Sequence, residues 1–111
     1  MRLAILTKDL LISVRLEEAL HRAGHDILAA SLSGEADVAL VDLGPTGLPD
    51  PPATIQRLRA GGVKVIAFGP HAQGAALARA REEGAEVVVS NGQALSDPVG
   101  LIARVEGHGE G

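Results

Sequence analysis

Four short, nearly unbroken aliphatic runs limit what this chain can fold into: Leu3–Leu6, Val38–Leu43, Val63–Phe68 and Val87–Val89. Each is bounded by polar residues or by Gly and Pro. Alternation of apolar and polar residues would mark a sheet with one wet face. Continuous hydrophobicity marks strands covered on both faces, as in a parallel sheet. His25–Ser31 reads as a fifth, weaker strand at an edge. The core has to be aliphatic, because apolar residues make up 46% of the chain and Phe68 is its only Phe, Tyr or Trp.

Helical patterns separate the strands. Thr7 or Asp9 can cap a helix running to about Ala23, with Ile12, Leu16, Ala19, Leu20 and Ala23 on one stripe and Gly24 as its stop. Asp50-Pro51 is an N-cap followed by proline at the first helical position, and Ile55 and Leu58 mark the buried side up to Gly61. His71 to Glu83 reads as an Ala-rich helix stopped by Gly84, with Leu77 and Ala80 inward. Ser96-Asp97-Pro98 opens a last helix carrying Leu101, Ile102 and Val105. The expected organisation is one domain over residues 1–106 and a flexible tail over 107–111.

Helices on both faces and right-handed crossovers then give a flavodoxin-like, doubly wound α/β fold with five parallel strands in the order 2-1-3-4-5. One step strains that pattern. Leu32 to Asp37 is all that joins the second strand to the third, where a parallel crossover takes about a dozen residues. The second helix is therefore expected to be shortened or missing. Its loss would leave an aliphatic patch near Leu3, Ile5 and Val41 for another chain to cover, which argues for a homodimer.

Composition excludes several classes of function. The chain has no cysteine, so thiolate chemistry, disulfides and cysteine metal sites are out. A formal charge of -4 leaves no basic footprint for nucleic acid. No apolar stretch reaches the ~20 residues of a membrane span, and the start has no signal-peptide core. A soluble, cytoplasmic protein is expected.

The run Asp37-Val-Ala-Leu-Val-Asp-Leu43 delivers one carboxylate, Asp42, to the carboxyl end of a central strand, where open α/β sheets build their sites. The other strand ends offer Thr7-Lys8, Gly69-Pro70 and Ser90-Asn91. No nucleophile, base and orienting group can be assembled from them, so the chain reads as a non-enzyme without a cofactor or metal.

In this order the chain resembles the receiver domain of bacterial two-component response regulators, over almost its whole length. The likeness rests on Arg2-Leu-Ala-Ile-Leu-Thr-Lys-Asp-Leu-Leu-Ile12, on Arg15-Leu16 and Ala23-Gly24-His25, and on Asp37–Leu43. Lys64–Phe68 and Gly84-Ala-Glu-Val-Val-Val89 complete it. The resemblance implies a phosphoacceptor at Asp42. It also implies an acidic pair that holds Mg²⁺, a Ser or Thr after the fourth strand and a Lys after the fifth. Here the acidic pair falls on Thr7 and Lys8, with Asp9 one step too far along. The hydroxyl position falls on Gly69, and the Lys position on Ser90 or Asn91.

Three of the four functional positions are thus lost, which points to a stand-alone pseudo-receiver acting through protein–protein contact. By analogy its contact face is His71–Glu83, Val87–Val89 and Pro98–Val105. A Lys8–Asp42 ion pair is expected to fill the vacated site. Two alternatives remain. One is a small anionic ligand bound at the strand carboxyl ends, among Thr7, Lys8, Asp42 and Asn91. The other is a residual phosphoacceptor at Asp42. His71 lies on the same edge and reads as a helix-start histidine that hydrogen-bonds a loop. His21 and His25 are parted by Gly24 and make no metal pair. Gly44-Pro-Thr-Gly47 and Gly61-Gly62 read as turns.

Overall fold

The computed structural model describes residues 1–107, with side chains through Glu106. Its elements are β1 (Arg2–Leu6), α1 (Leu10–Arg22), β2 (Asp26–Leu28), a 3₁₀ segment (Ala30–Glu35), β3 (Val38–Asp42), α2 (Pro51–Ala60), β4 (Lys64–Gly69), α3 (Gly74–Glu82), β5 (Val87–Ser90), α4 (Asn91–Ser96) and α5 (Pro98–Gly107). The strands form one parallel sheet in the order β2-β1-β3-β4-β5. This is the expected doubly wound arrangement. The tail expected at 107–111 lies outside the described residues except for Gly107, the last residue of α5.

Local chemistry sets the helix ends. Asp9, not Thr7, caps α1: its side chain accepts from the amides of Leu11 and Ile12. Gly24 then leaves that helix at φ +96, a backbone state that costs glycine little. Asp50 caps α2 by accepting from the Ala53 amide, with prolines at the first two helical positions. The third helix begins at Gly74 and not at His71, because residues 70–73 form a turn closed by the Gln73 amide on the Pro70 carbonyl. After β5 the chain forms an element that the sequence reading does not place. Ser90 and Gln93 form a reciprocal capping box that starts the short helix α4.

Alternate strand residues point to opposite faces, so the sheet has two aliphatic layers. Leu3, Ile5, Val38, Leu40, Ile66 and Phe68 pack with Leu16 and Leu20 of α1 and with Leu101, Ile102 and Val105 of α5. Ala4, Leu6, Ala39, Val41, Val65 and Ala67 pack with Ile55 and Leu58 of α2 and Ala80 of α3. The crossover from β2 to β3 is a 3₁₀ segment in place of a helix. It lies against β1, and Ala36 just after it joins the second layer.

This overturns the expected bare patch. Leu3, Ile5 and Val41 are all buried. They could not have formed one patch in any case. Leu3 and Ile5 are in register with Val38 and Leu40 on the α1/α5 face, whereas Val41 pairs with Leu6 on the other. The argument for a homodimer from an uncovered sheet face therefore falls. Among the described residues, no helix is long and apolar enough to cross a membrane.

Phe68 is fully buried and is the bulkiest side chain in the interior. Removing it leaves a cavity that the packed aliphatic layer around it closes only in part. Phe68→Ala should cost about 3–5 kcal/mol in urea unfolding monitored by far-UV circular dichroism. Ser90→Ala, which loses only the α4 cap, should cost about 1 kcal/mol.

Candidate functional site

The site lies at the carboxyl end of β3, where the strand passes into the connection to α2. Asp42 closes a strand buried along its whole length, and only 1% of its surface is exposed. A carboxylate so placed needs donors, because burying a charged or polar group without them is costly. It has three. The Thr7 and Thr46 hydroxyls both donate to Oδ2 at 2.6 Å, and the Gly44 amide donates to Oδ1 at 2.7 Å. An ionised carboxylate only accepts, and each contact here is a donor.

These bonds fold the connection back over the strand end. The Leu43 amide bonds the Phe68 carbonyl, a turn closes from the Gly47 amide to the Gly44 carbonyl, and the Lys8 amide donates to the Thr46 carbonyl at 2.7 Å. β1, β3 and the loop are thereby tied at one point. Gly47 lies so close that a Cβ there would fall 2.0 Å from the Asp42 carbonyl oxygen. Gly44 is similarly tight, with a Cβ meeting Pro70 Cδ at 2.9 Å. Gly44-Pro-Thr-Gly47 is thus the turn the sequence suggests. Its third residue, however, is a partner of Asp42 that sequence reading missed. The signal was a hydroxyl four residues after the acid, on a turn tight enough to bring it back.

The remaining sequence-selected residues scatter. Lys8 is exposed and makes no ion pair with Asp42: among the described residues the ion pairs are Arg59–Glu86 and Arg79–Glu83. The expected Lys8–Asp42 pair is therefore replaced by neutral donors. A lysine on the strand-end turn gains more from full hydration than from entering a space the two threonine hydroxyls already fill. Asp9 is occupied as the cap of α1. Gly69 is buried against Leu43 and Leu77, and a Cβ would press Leu43 Cβ at 3.2 Å, so the hydroxyl position has little room for a hydroxyl residue. His71 is exposed in the turn before α3 and makes none of the hydrogen bonds expected of it among the described residues. Ser90 is the α4 cap, and the Oδ1 of Asn91 is buried without a hydrogen-bond partner among the described residues.

The donor set does not fit Mg²⁺. That ion takes oxygen ligands in a near-octahedral array, with one or two carboxylates among them. Around Asp42 the oxygens are two hydroxyls already directed at the carboxylate, and a lysine follows the first of them. Among the described residues no group of three or more His, Cys, Asp or Glu could hold a metal.

No family model matches the sequence, and no curated protein does. Solved structures do. A response regulator from Burkholderia pseudomallei, described with a phosphorylated aspartic acid, a calcium ion and citrate, matches at a TM-score of 0.76 and 16% identity. The match covers 94% of this chain but 65% of that one, so the chain spans less than two thirds of that protein. The signal receiver domain of a DNA-binding response regulator from Colwellia psychrerythraea matches at 0.75 and 17%, covering 93% of this chain and 98% of that one. An orphan response regulator of H. pylori matches at 0.73 and 15%, covering 95% and 96%. The chain has the receiver fold.

The geometry makes two opposite predictions. Thr46→Val removes a hydrogen bond to a buried charged group and should cost about 1.5–3 kcal/mol in chemical denaturation. Lys8→Ala should change stability by no more than about 0.5 kcal/mol, as for other exposed positions without partners.

Proposed function

We propose that this chain is a non-catalytic pseudo-receiver: a signalling or regulatory module of the bacterial cytoplasm that acts through protein–protein contact and not through Mg²⁺-dependent phosphorylation. The observation that carries this reading is the closed set of bonds around Asp42. Attack on a phosphodonor needs a carboxylate oxygen that can reach the incoming phosphorus. It also needs positive charge to neutralise the transferring group. Here both oxygens are engaged and the group is buried. The acidic residues that would hold a metal are a threonine and a lysine. The loop that seals Asp42 also lies across the crevice where the alternative, a small anionic ligand, would sit.

Contact is supported by a surface the sequence stripe did not single out. Leu10, Leu11 and Val14, on the outer side of α1, are 80%, 68% and 49% exposed. Aliphatic side chains clustered in this way favour a protein partner. The homodimer belongs to the same proposal, moved from the sheet face to this helix face.

Incubation with acetyl phosphate and Mg²⁺, followed by intact-mass spectrometry, should leave the protein unmodified. A phosphoryl adduct that disappears in Asp42→Asn would overturn the proposal and restore the residual phosphoacceptor. For the contact face, the combined change Leu10→Gln, Leu11→Gln and Val14→Gln should weaken self-association in sedimentation velocity by roughly tenfold or more. Each buried aliphatic side chain is worth about 1.5–3 kcal/mol, and every 1.4 kcal/mol is a factor of ten.

A further inference from the structure

The outer side of α1 carries a charge pattern as well as an apolar one. At 3.6 residues per turn, Leu10, Leu11, Val14, Glu17 and Glu18 share about one third of the helix circumference. All five are exposed. Lys8 stands at the amino end of this stripe, one residue before the capping Asp9, and is exposed too. The stripe thus runs from one cation, through three aliphatic side chains, to two carboxylates. Among the described residues Lys8, Glu17 and Glu18 make no ion pair.

That series of groups is complementary to itself reversed. A second α1 laid antiparallel, about a two-fold axis midway between Leu11 and Val14, sets Leu11 against Val14 of the partner subunit and Lys8 against Glu17 of the partner subunit. In a parallel pairing Glu17 and Glu18 would face their own copies, and like charges there repel. The whole chain bears a formal charge of -4, so two copies repel unless local attraction offsets it. The reversed pairing supplies that attraction at both ends of the stripe at once.

We propose that α1 pairs antiparallel with α1 of a second copy of this chain. Leu10, Leu11 and Val14 form the apolar centre, and at each end Lys8 reaches Glu17 and Glu18 across the axis. The Lys8 side chain, which makes no ion pair within its own chain, then sets the orientation of the pair. The Lys8 amide is bonded to the Thr46 carbonyl, so the second copy abuts the turn that holds the Asp42 loop in place. The inference rests on the reading of α1 as the contact face, and adds the orientation of the two copies and the residues that select it.

The chain has no cysteine, so engineered thiols report on the pairing alone. Copper-phenanthroline oxidation of Val14→Cys should give a disulfide-linked dimer, because the two copies of residue 14 lie close to the axis. Glu17→Cys by itself should not. Its two copies lie about 13 Å apart along the helices, beyond the roughly 7 Å between Cα atoms that a disulfide spans. An equimolar mixture of Lys8→Cys and Glu17→Cys should link. In sedimentation velocity at low ionic strength, Lys8→Glu should weaken association roughly tenfold, and adding Glu17→Lys and Glu18→Lys should restore it. Linkage of Glu17→Cys to itself as fast as Val14→Cys, no linkage in the mixture, or unchanged association of Lys8→Glu would each overturn the antiparallel pair. An unaltered chain that sediments as a monomer would overturn α1 as a contact between copies. Neither result bears on Asp42, whose chemistry the acetyl phosphate experiment decides separately.

Discussion

Asp42 has to satisfy a carboxylate at the end of a strand that is otherwise sealed in aliphatic side chains, and the upper edge of the molecule is arranged around that need. Two threonine hydroxyls and one amide meet it. Thr7 comes from the end of β1 and Thr46 from the loop after β3. The carboxylate therefore acts as a cross-link between neighbouring strand ends. The Lys8 amide on the Thr46 carbonyl closes the same junction through the backbone.

A carboxylate serving as a structural hub is poorly suited to serve as a nucleophile. The features that make a receiver switch are a metal-neutralised acid pocket, a hydroxyl that swings toward the phosphoryl group and a lysine that pairs with it. Here the corresponding places carry Thr7-Lys8, a glycine packed on Leu43 and a capping box. Thr7, the glycine and the capping box each have a local structural use, visible in their neighbours. On the proposed reading these positions serve the scaffold, and the surface becomes the place to look for function. One surface differs from the rest, the aliphatic side of α1.

Much of this fold was readable before any coordinates. Continuous aliphatic runs separated by helical stripes specified a parallel doubly wound sheet, and the six-residue crossover correctly ruled out a second full helix. Errors arose where two physical signals competed. Ser90-Asn-Gly-Gln93 carries the capping-box spacing, yet it sits where a phosphate-sensing lysine would stand, and that comparison hid the helix start. Thr46 escaped because a turn flanked by two glycines says little about where its side chain points. Lys8 suggests a pair with Asp42 because neighbouring strand ends fix where a charge sits but not how it is solvated. Leu3, Ile5 and Val41 were grouped by their position on adjacent strands, although strand parity places them on opposite faces.

The short crossover bears on how the protein behaves in a crowded solution. Replacing a helix by a 3₁₀ segment leaves β2 only three residues long, with Asp26 at its start. Edge strands expose unpaired backbone groups that can recruit strands from neighbouring molecules, and brevity and charge are the usual protections. An edge of three residues offers too few consecutive bonds to template another chain. The trimmed connection thus guards the sheet against fibril-like growth on that side, where association of copies has to proceed through side chains.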